Sequence, residues 1–149
     1  MVRASSAVTR RVTVARPALP SDVMNVLLWI LQVLLALAFL AHGWMFLFPP
    51  AAVVDQMNAS LPRWFQLFLG VAEVLAAIGL TLPAITRVQP WWVHWAAVGI
   101  MIVTASATIF HAARGETSSA LTTAVLFAMA TFLAYMRWRV TPIRPRRLV

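Results

Sequence analysis

Four long apolar stretches, separated by short breaks that carry proline or polar residues, dominate the chain from Asp22 to Met136. Each is long enough to cross a bilayer, and in lipid a lone segment can satisfy its backbone polar groups only as a helix. The first runs from Asp22 to Phe48, opened by Ser21 or Asp22 as an N-cap and stopped by Pro49-Pro50. It exceeds the length of a signal-peptide core, so cleavage is not expected. The second opens at Leu61-Pro62 and ends near Leu82-Pro83, the third follows Pro90 from Trp91 to Ala113, and the fourth covers Ser119 to Met136. AAVVDQMNAS reads as a linker, AITRVQ and RGETSS as tight connections, the last balancing Arg114 against Glu116. Four short-looped spans predict an all-α integral membrane protein, a four-helix up-down-up-down antiparallel bundle. Residues 22–137 form its membrane domain, between a basic and disordered tail at 1–21 and a second basic tail at 138–149.

Composition excludes the soluble alternatives, since 62% hydrophobic against 11% charged residues leaves too little charge to cover a water-facing surface. With no Cys, the chain has no disulfide, thiolate metal site or iron–sulfur cluster of its own. The net charge of +8 comes wholly from Arg. In a soluble protein it would suggest nucleic acid, but here it follows topology and anionic headgroups, and no nucleic-acid partner is expected. Of the Arg residues, only Arg63 and Arg114 fall on the side opposite the tails. The positive-inside rule therefore predicts a multi-pass protein of a bacterial plasma membrane with both termini cytoplasmic. Arg137, Arg139, Arg144, Arg146 and Arg147 are the expected contacts with lipid or a partner. Trp29, Trp91, Trp92, Trp95 and Trp138 are expected at the inner boundary, with Trp44 and Trp64 at the outer one.

Within the spans a few polar side chains stand out. Glu73 sits mid-span, where a charge costs roughly 3 kcal/mol, so it is expected to face another helix or a cavity. Gln66, Gly70, Glu73 and Ala77 share one helical stripe; Thr104, Thr108 and His111 share another, and Gln32, Leu35, Phe39 and His42 a third. Counted from the outer helix ends at 1.5 Å per residue, His42 lies about 9 Å deep, Gln66 about 7 Å, Glu73 about 18 Å, Thr104 about 13 Å, Thr108 about 7 Å and His111 about 3 Å. Glu73, His42, Gln66, Thr104, Thr108 and His111 are thus candidates for one outer-half ligand or proton site. The competing readings make Glu73 and His42 hydrogen-bonding packing groups between helices, His111 a solvated interfacial residue, and Thr104 and Thr108 hydroxyls bonded to their own helix backbone. The depth spread of more than about 10 Å argues against a metal site, and none is expected.

Some of these residues form an ordered set: Ala41-His42-Gly43-Trp44, Gly70-Val71-Ala72-Glu73, Gly79-Leu80-Thr81-Leu82-Pro83, and Phe110-His111-Ala112-Ala113-Arg114-Gly115-Glu116. Their order across four spans resembles the DoxX-like family of small membrane proteins, from about Leu28 to Arg137. The resemblance implies a four-helix inner-membrane protein associated with thiosulfate:quinone electron transfer, or with tethering soluble redox enzymes. One departure is visible: where the family often has Lys-Leu shortly after the first-span glycine, this chain has Phe46-Leu47. A basic group suited to an anionic substrate is missing there.

Two functions of different class follow as expectations. The first is an accessory or anchoring subunit of a membrane redox system, its basic tails recruiting a soluble enzyme, another membrane subunit or anionic lipid. The second is a quinone-binding oxidoreductase subunit, with His42, Gln66, Glu73 and Thr104 around the headgroup and quinone as the one cofactor implied. A small-molecule transporter ranks third, and homo-oligomerisation is left open.

Overall fold

The structure is a computed structural model and describes residues 21–146. The tail before residue 21 and residues 147–149, Arg147 among them, lie outside the described residues. Five α-helices follow in order: α1 (Ser21–Leu47), α2 (Ala51–Ser60), α3 (Arg63–Thr86), α4 (Trp92–Ala113) and α5 (Thr117–Tyr135), and a π-helical turn, Met136–Val140, extends α5. Four of them, α1, α3, α4 and α5 with its extension, are long and apolar enough to cross a membrane. They form an all-helical antiparallel bundle, in which α1 packs mainly on α3, α3 on α4, and α4 on α5. The outward faces carry Val26, Ile30, Leu37, Leu75, Ile102, Ile109, Leu121 and Phe132, all exposed and all suited to acyl chains. The protein therefore contacts the bilayer directly.

The fully packed core belongs to one half of the bundle. Leu28, Leu35, Leu80, Val93, Ala97, Ile100, Ala130 and Leu133 are buried there. These residues lie toward the end at which α1 starts and α5 finishes, called here the terminal end. Toward the other end, where α2 lies, α4 has no buried residue beyond Thr104 and α5 none before Ala130. The bundle is closed at one end and loosened at the other.

Two segments depart from the expected pattern. AAVVDQMNAS is helix α2, not a linker; Val53, Met57 and Ser60 share one face of it, spaced three and four residues apart, which gives this short helix a side to lay against the bundle. Pro83 lies inside α3, which continues to Thr86 and ends at Arg87 with φ 57°. A proline withholds one N–H, here from the carbonyl four residues back at Gly79, and spans tolerate that loss where helices pack closely. A methyl on Gly79 would lie 2.9 Å from the Cβ of Ala96 on α4, so α3 and α4 touch at this level.

Backbone meets backbone between α1 and α3. A Cβ on Gly43 would sit 2.9 Å from the Gly70 carbonyl oxygen, and one on Gly70 would sit 2.9 Å from the Gly43 carbonyl oxygen. Backbone cannot yield as a flexible side chain does. Gly43→Ala should accordingly destabilise the bundle by roughly 1–3 kcal/mol, the range for overpacking. Gly99→Ala, which meets nothing within 4 Å, should be neutral or gain up to about 1 kcal/mol in helix propensity. Thermal unfolding in one detergent checks both, and equal effects would show that the Gly43–Gly70 contact does not set the spacing.

Candidate functional site

The glycine contact brings the neighbouring residues of α1 and α3 level with each other. Nδ1 of His42 lies 2.7 Å from Oε2 of Glu73. Depth counting placed the two residues about 9 Å apart, and the difference has two causes. Side chains lean toward the N-terminus of their own helix, so in this antiparallel pair Glu73 leans toward the α2 end and His42 leans away from it. In addition, Gly43 lies nearer its helix end than Gly70 does, which offsets the two counts.

The two partners are unequally accessible. The Glu73 side chain is 3% exposed and the His42 side chain 50%. The imidazole therefore faces open space while the carboxylate stands behind it. His42 also meets the ring of Phe46 edge-on at 4.8 Å, which fixes the ring plane from its other side.

That open space comprises two cavities which share His42, Glu73 and His111. The larger, about 1040 Å³, lies between the end of α1, α2, α3 and α4, and its walls include Phe46, Phe65 and Phe110. Val53, Met57 and Ser60 of α2 line it as well, so α2 is one of its walls. The smaller, about 430 Å³, lies where α1 faces α5 and is lined by Phe39, Thr104, Ser119, Thr122 and Thr123 among others. Its hydroxyls give one wall a polar lining within an otherwise apolar space.

The remaining candidates divide into two groups. Thr104 lines the smaller cavity, although its hydroxyl donates to Ile100 O of its own helix at 2.8 Å. His111 lines both cavities. Gln66 and Thr108 line neither. Gln66 donates from Nε2 to Leu61 O at 2.8 Å and to Asn58 Oδ1 at 3.1 Å, which ties α2 to α3. Thr108 shares a hydroxyl–hydroxyl hydrogen bond with Thr123 at 2.9 Å, a link between α4 and α5.

Arg63 has a role that sequence reading did not suggest. It donates from Nη1 to Phe46 O at 2.8 Å and from Nη2 to Leu47 O at 2.9 Å, capping the last turn of α1 from the start of α3. A cation there also complements the negative end of the helix dipole. Arg137 changes place. Expected as a tail contact, it is buried against α1, donating from Nε to Gln32 Oε1 at 3.1 Å and from Nη1 to Asn25 Oδ1 at 2.8 Å. The spacing of Asn25 and Gln32, seven apart on one face, was the available signal. Trp29, expected in the boundary belt, packs against the core and lies 5.5 Å from the Arg137 guanidinium carbon.

A buried acid and a half-open imidazole on adjacent helices, facing a large apolar cavity, mark this as a four-span membrane bundle with an internal polar site. The sequence model of the DoxX-like family matches residues 30–133, most of the chain, and the protein belongs to that family. Neither a curated protein nor a solved structure gives a significant match.

At the α2 end His111 bonds Glu116, and Arg114 Nε donates to Glu116 Oε1 at 2.7 Å. The Arg114 hydrogen bond first, and the His111 one second, hold the Glu116 carboxyl below its ordinary value of 4.5. A carboxylate depressed in the folded state stabilises fully above that ordinary value and loses its contribution as pH falls through the lower folded one. Glu116→Gln should therefore flatten the decline in melting temperature below about pH 4.5. An unchanged acid limb in that variant would show that the cluster does not contribute.

Proposed function

We propose that this DoxX-like protein is the quinone-holding, proton-handling subunit of a membrane redox system in a bacterial plasma membrane, with the α2 end facing away from the cytoplasm. The observation that carries the reading is the His42–Glu73 pair, with its carboxyl group buried and its imidazole open to a cavity of about 1040 Å³. Ligand sites of this kind are largely apolar with a few placed polar groups. The volume and the aromatic walls suit a substituted ring with an attached tail.

In this role Glu73, as the neutral carboxylic acid, would donate to Nδ1 of His42, which leaves the imidazole proton on Nε2 to hydrogen-bond a carbonyl oxygen of the ring. A proton given up at Nε2 is replaced at Nδ1 from the carboxyl, so a buried acid serves a site it does not touch. A quinone, when bound, supplies the redox chemistry itself. Electrons come from a partner, which makes the chain an accessory subunit as much as a binding one.

His42→Ala should weaken binding of a short-chain quinone analogue roughly tenfold, the equivalent of one hydrogen bond of about 1–1.5 kcal/mol. Glu73→Gln should leave the melting temperature and the affinity nearly unchanged while removing quinone-dependent turnover in membranes. Titration calorimetry and turnover assays read the two effects. Wild-type affinity in the first variant and wild-type turnover in the second would overturn the assignment.

Exposed Arg139, Arg144 and Arg146 favour a second, compatible reading, a docking face for a soluble acidic redox enzyme. Arg137 no longer belongs to that set. Replacing the three exposed arginines by Gln should abolish recovery of the enzyme with the membrane protein; undiminished recovery would remove the reading.

A further inference from the structure

Arg137 is a buried guanidinium at the terminal end whose described partners are all neutral: Gln32 Oε1, Asn25 Oδ1 and the face of Trp29. Its Nη2 is buried and has no hydrogen-bond partner among the described residues. Gln32 cannot turn away to change this, because its Nε2 donates to Leu80 O and so keeps Oε1 on the arginine. A guanidinium stays charged at any accessible pH, and a buried charge without a counterion is strongly disfavoured.

The chain has little to offer as that counterion. Its acids are Asp22, Asp55, Glu73 and Glu116. Asp55 lies on α2, Glu73 is held by His42, and Glu116 is held by His111 and Arg114, all toward the opposite end. Only Asp22 belongs to the terminal end, and it makes no ion pair among the described residues. Arg87, Arg139, Arg144 and Arg146 add further positive charge at that end.

Beside Arg137 is a cavity of about 210 Å³, lined also by Trp91, His94, Trp138, Pro142 and Pro145. The His94 and Trp138 rings stack at 6.3 Å, and Arg139 lies over Trp138 with its guanidinium carbon 4.3 Å from the ring centroid. The proline segment is tied back by Arg146 N–H, which donates to Arg87 O at 3.1 Å. Tryptophans mark the depth of lipid headgroups.

We infer that this cavity is a phosphate-type oxyanion site in which Arg137 takes the headgroup phosphate of an anionic phospholipid or a free phosphate. A guanidinium matches phosphate oxygens through paired N–H groups, and an anion in the cavity would neutralise the uncompensated charge of Arg137. The site is separate from the His42–Glu73 cavities and holds or fails without them.

The test uses the full chain, stripped of lipid in neutral detergent and titrated with short-chain phosphatidylglycerol, phosphatidylcholine or inorganic phosphate. The readouts are melting temperature and adducts retained in native mass spectrometry. A saturable rise with phosphatidylglycerol at a concentration at least tenfold below that needed for phosphatidylcholine supports the site. An equal rise with inorganic phosphate assigns it to the free anion, and a rise with lipid alone assigns it to the headgroup. Arg137→Gln should abolish the response, and Arg144→Gln with Arg146→Gln should leave it. Should Arg137→Gln fail to fold, Trp138→Ala with Arg139→Gln replaces it and should weaken the response severalfold. No saturable response, an unchanged response in the site variants, or loss in the Arg144 and Arg146 pair would overturn the inference. So would Asp22→Asn lowering the melting temperature of the lipid-free protein as far as Arg137→Gln does, since Asp22 would then be the counterion.

Discussion

The contact between the backbones of Gly43 and Gly70 fixes the relation between α1 and α3, and the site depends on that relation. A methyl at either position would fall 2.9 Å from the opposing carbonyl oxygen. With both absent, the helices approach closely enough for His42, one residue before Gly43, to reach Glu73, less than one turn after Gly70. Small residues at a membrane helix interface draw backbones together through van der Waals contact, since lipid offers no hydrophobic drive between apolar helices. An acid in mid-span is tolerable because the same contact supplies its partner. The Arg63 cap on the Phe46 and Leu47 carbonyls fastens the pair at its open end.

The two ends of the bundle handle buried polarity in opposite ways. Toward α2, Glu73 is matched by His42 and Glu116 by His111 and Arg114, and the helices stand apart around open cavities. Toward the terminal end, Arg137, Gln32 and Asn25 are threaded through a closely packed core, with Leu28, Leu80, Val93 and Leu133 around them. Packing that is tight at one end lets the other stay open without loss of the fold. The hydrogen bonds of Gln32 and Arg137 tie α1 to α3 and to the extension of α5, because a shifted register would break them.

Much of this was legible in the sequence, for reasons that lie in particular residues. Span length and proline breaks determined the four-helix bundle, because the bilayer permits little else. The stripe of Gln66, Gly70, Glu73 and Ala77 is the buried face of α3, as helical periodicity requires. Contacts that depend on a second helix were less legible. Gln66 shares its stripe with Glu73, yet its amide is occupied by Leu61 and Asn58, which only the fold of α2 brings near. Helix α2 itself was masked by Asp55, Gln56 and Asn58, which lend a ten-residue stretch the look of a polar linker. Arg137 was misplaced because it begins a run of arginines in which Arg139, Arg144 and Arg146 are exposed, and charge pattern alone does not separate one buried guanidinium from its exposed neighbours.

The unequal packing also bears on how a ligand reaches the His42–Glu73 pair. α2, held to α3 through Gln66, stands as a wall across the water-facing end of the larger cavity, and the Arg114–Glu116–His111 cluster lies at the same end. The smaller cavity lies where α1 faces α5, two helices that touch far less than α1 and α3 or α4 and α5 do. Ala38, Phe39 and Leu126 give that seam an apolar lining, with Ser118 and Thr122 beside them. On the proposed reading, a ligand dissolved in the bilayer enters sideways between α1 and α5, keeps its tail among lipid chains, and sets only its polar head against His42. Such a lateral route suits the lipid-soluble ligand of that reading.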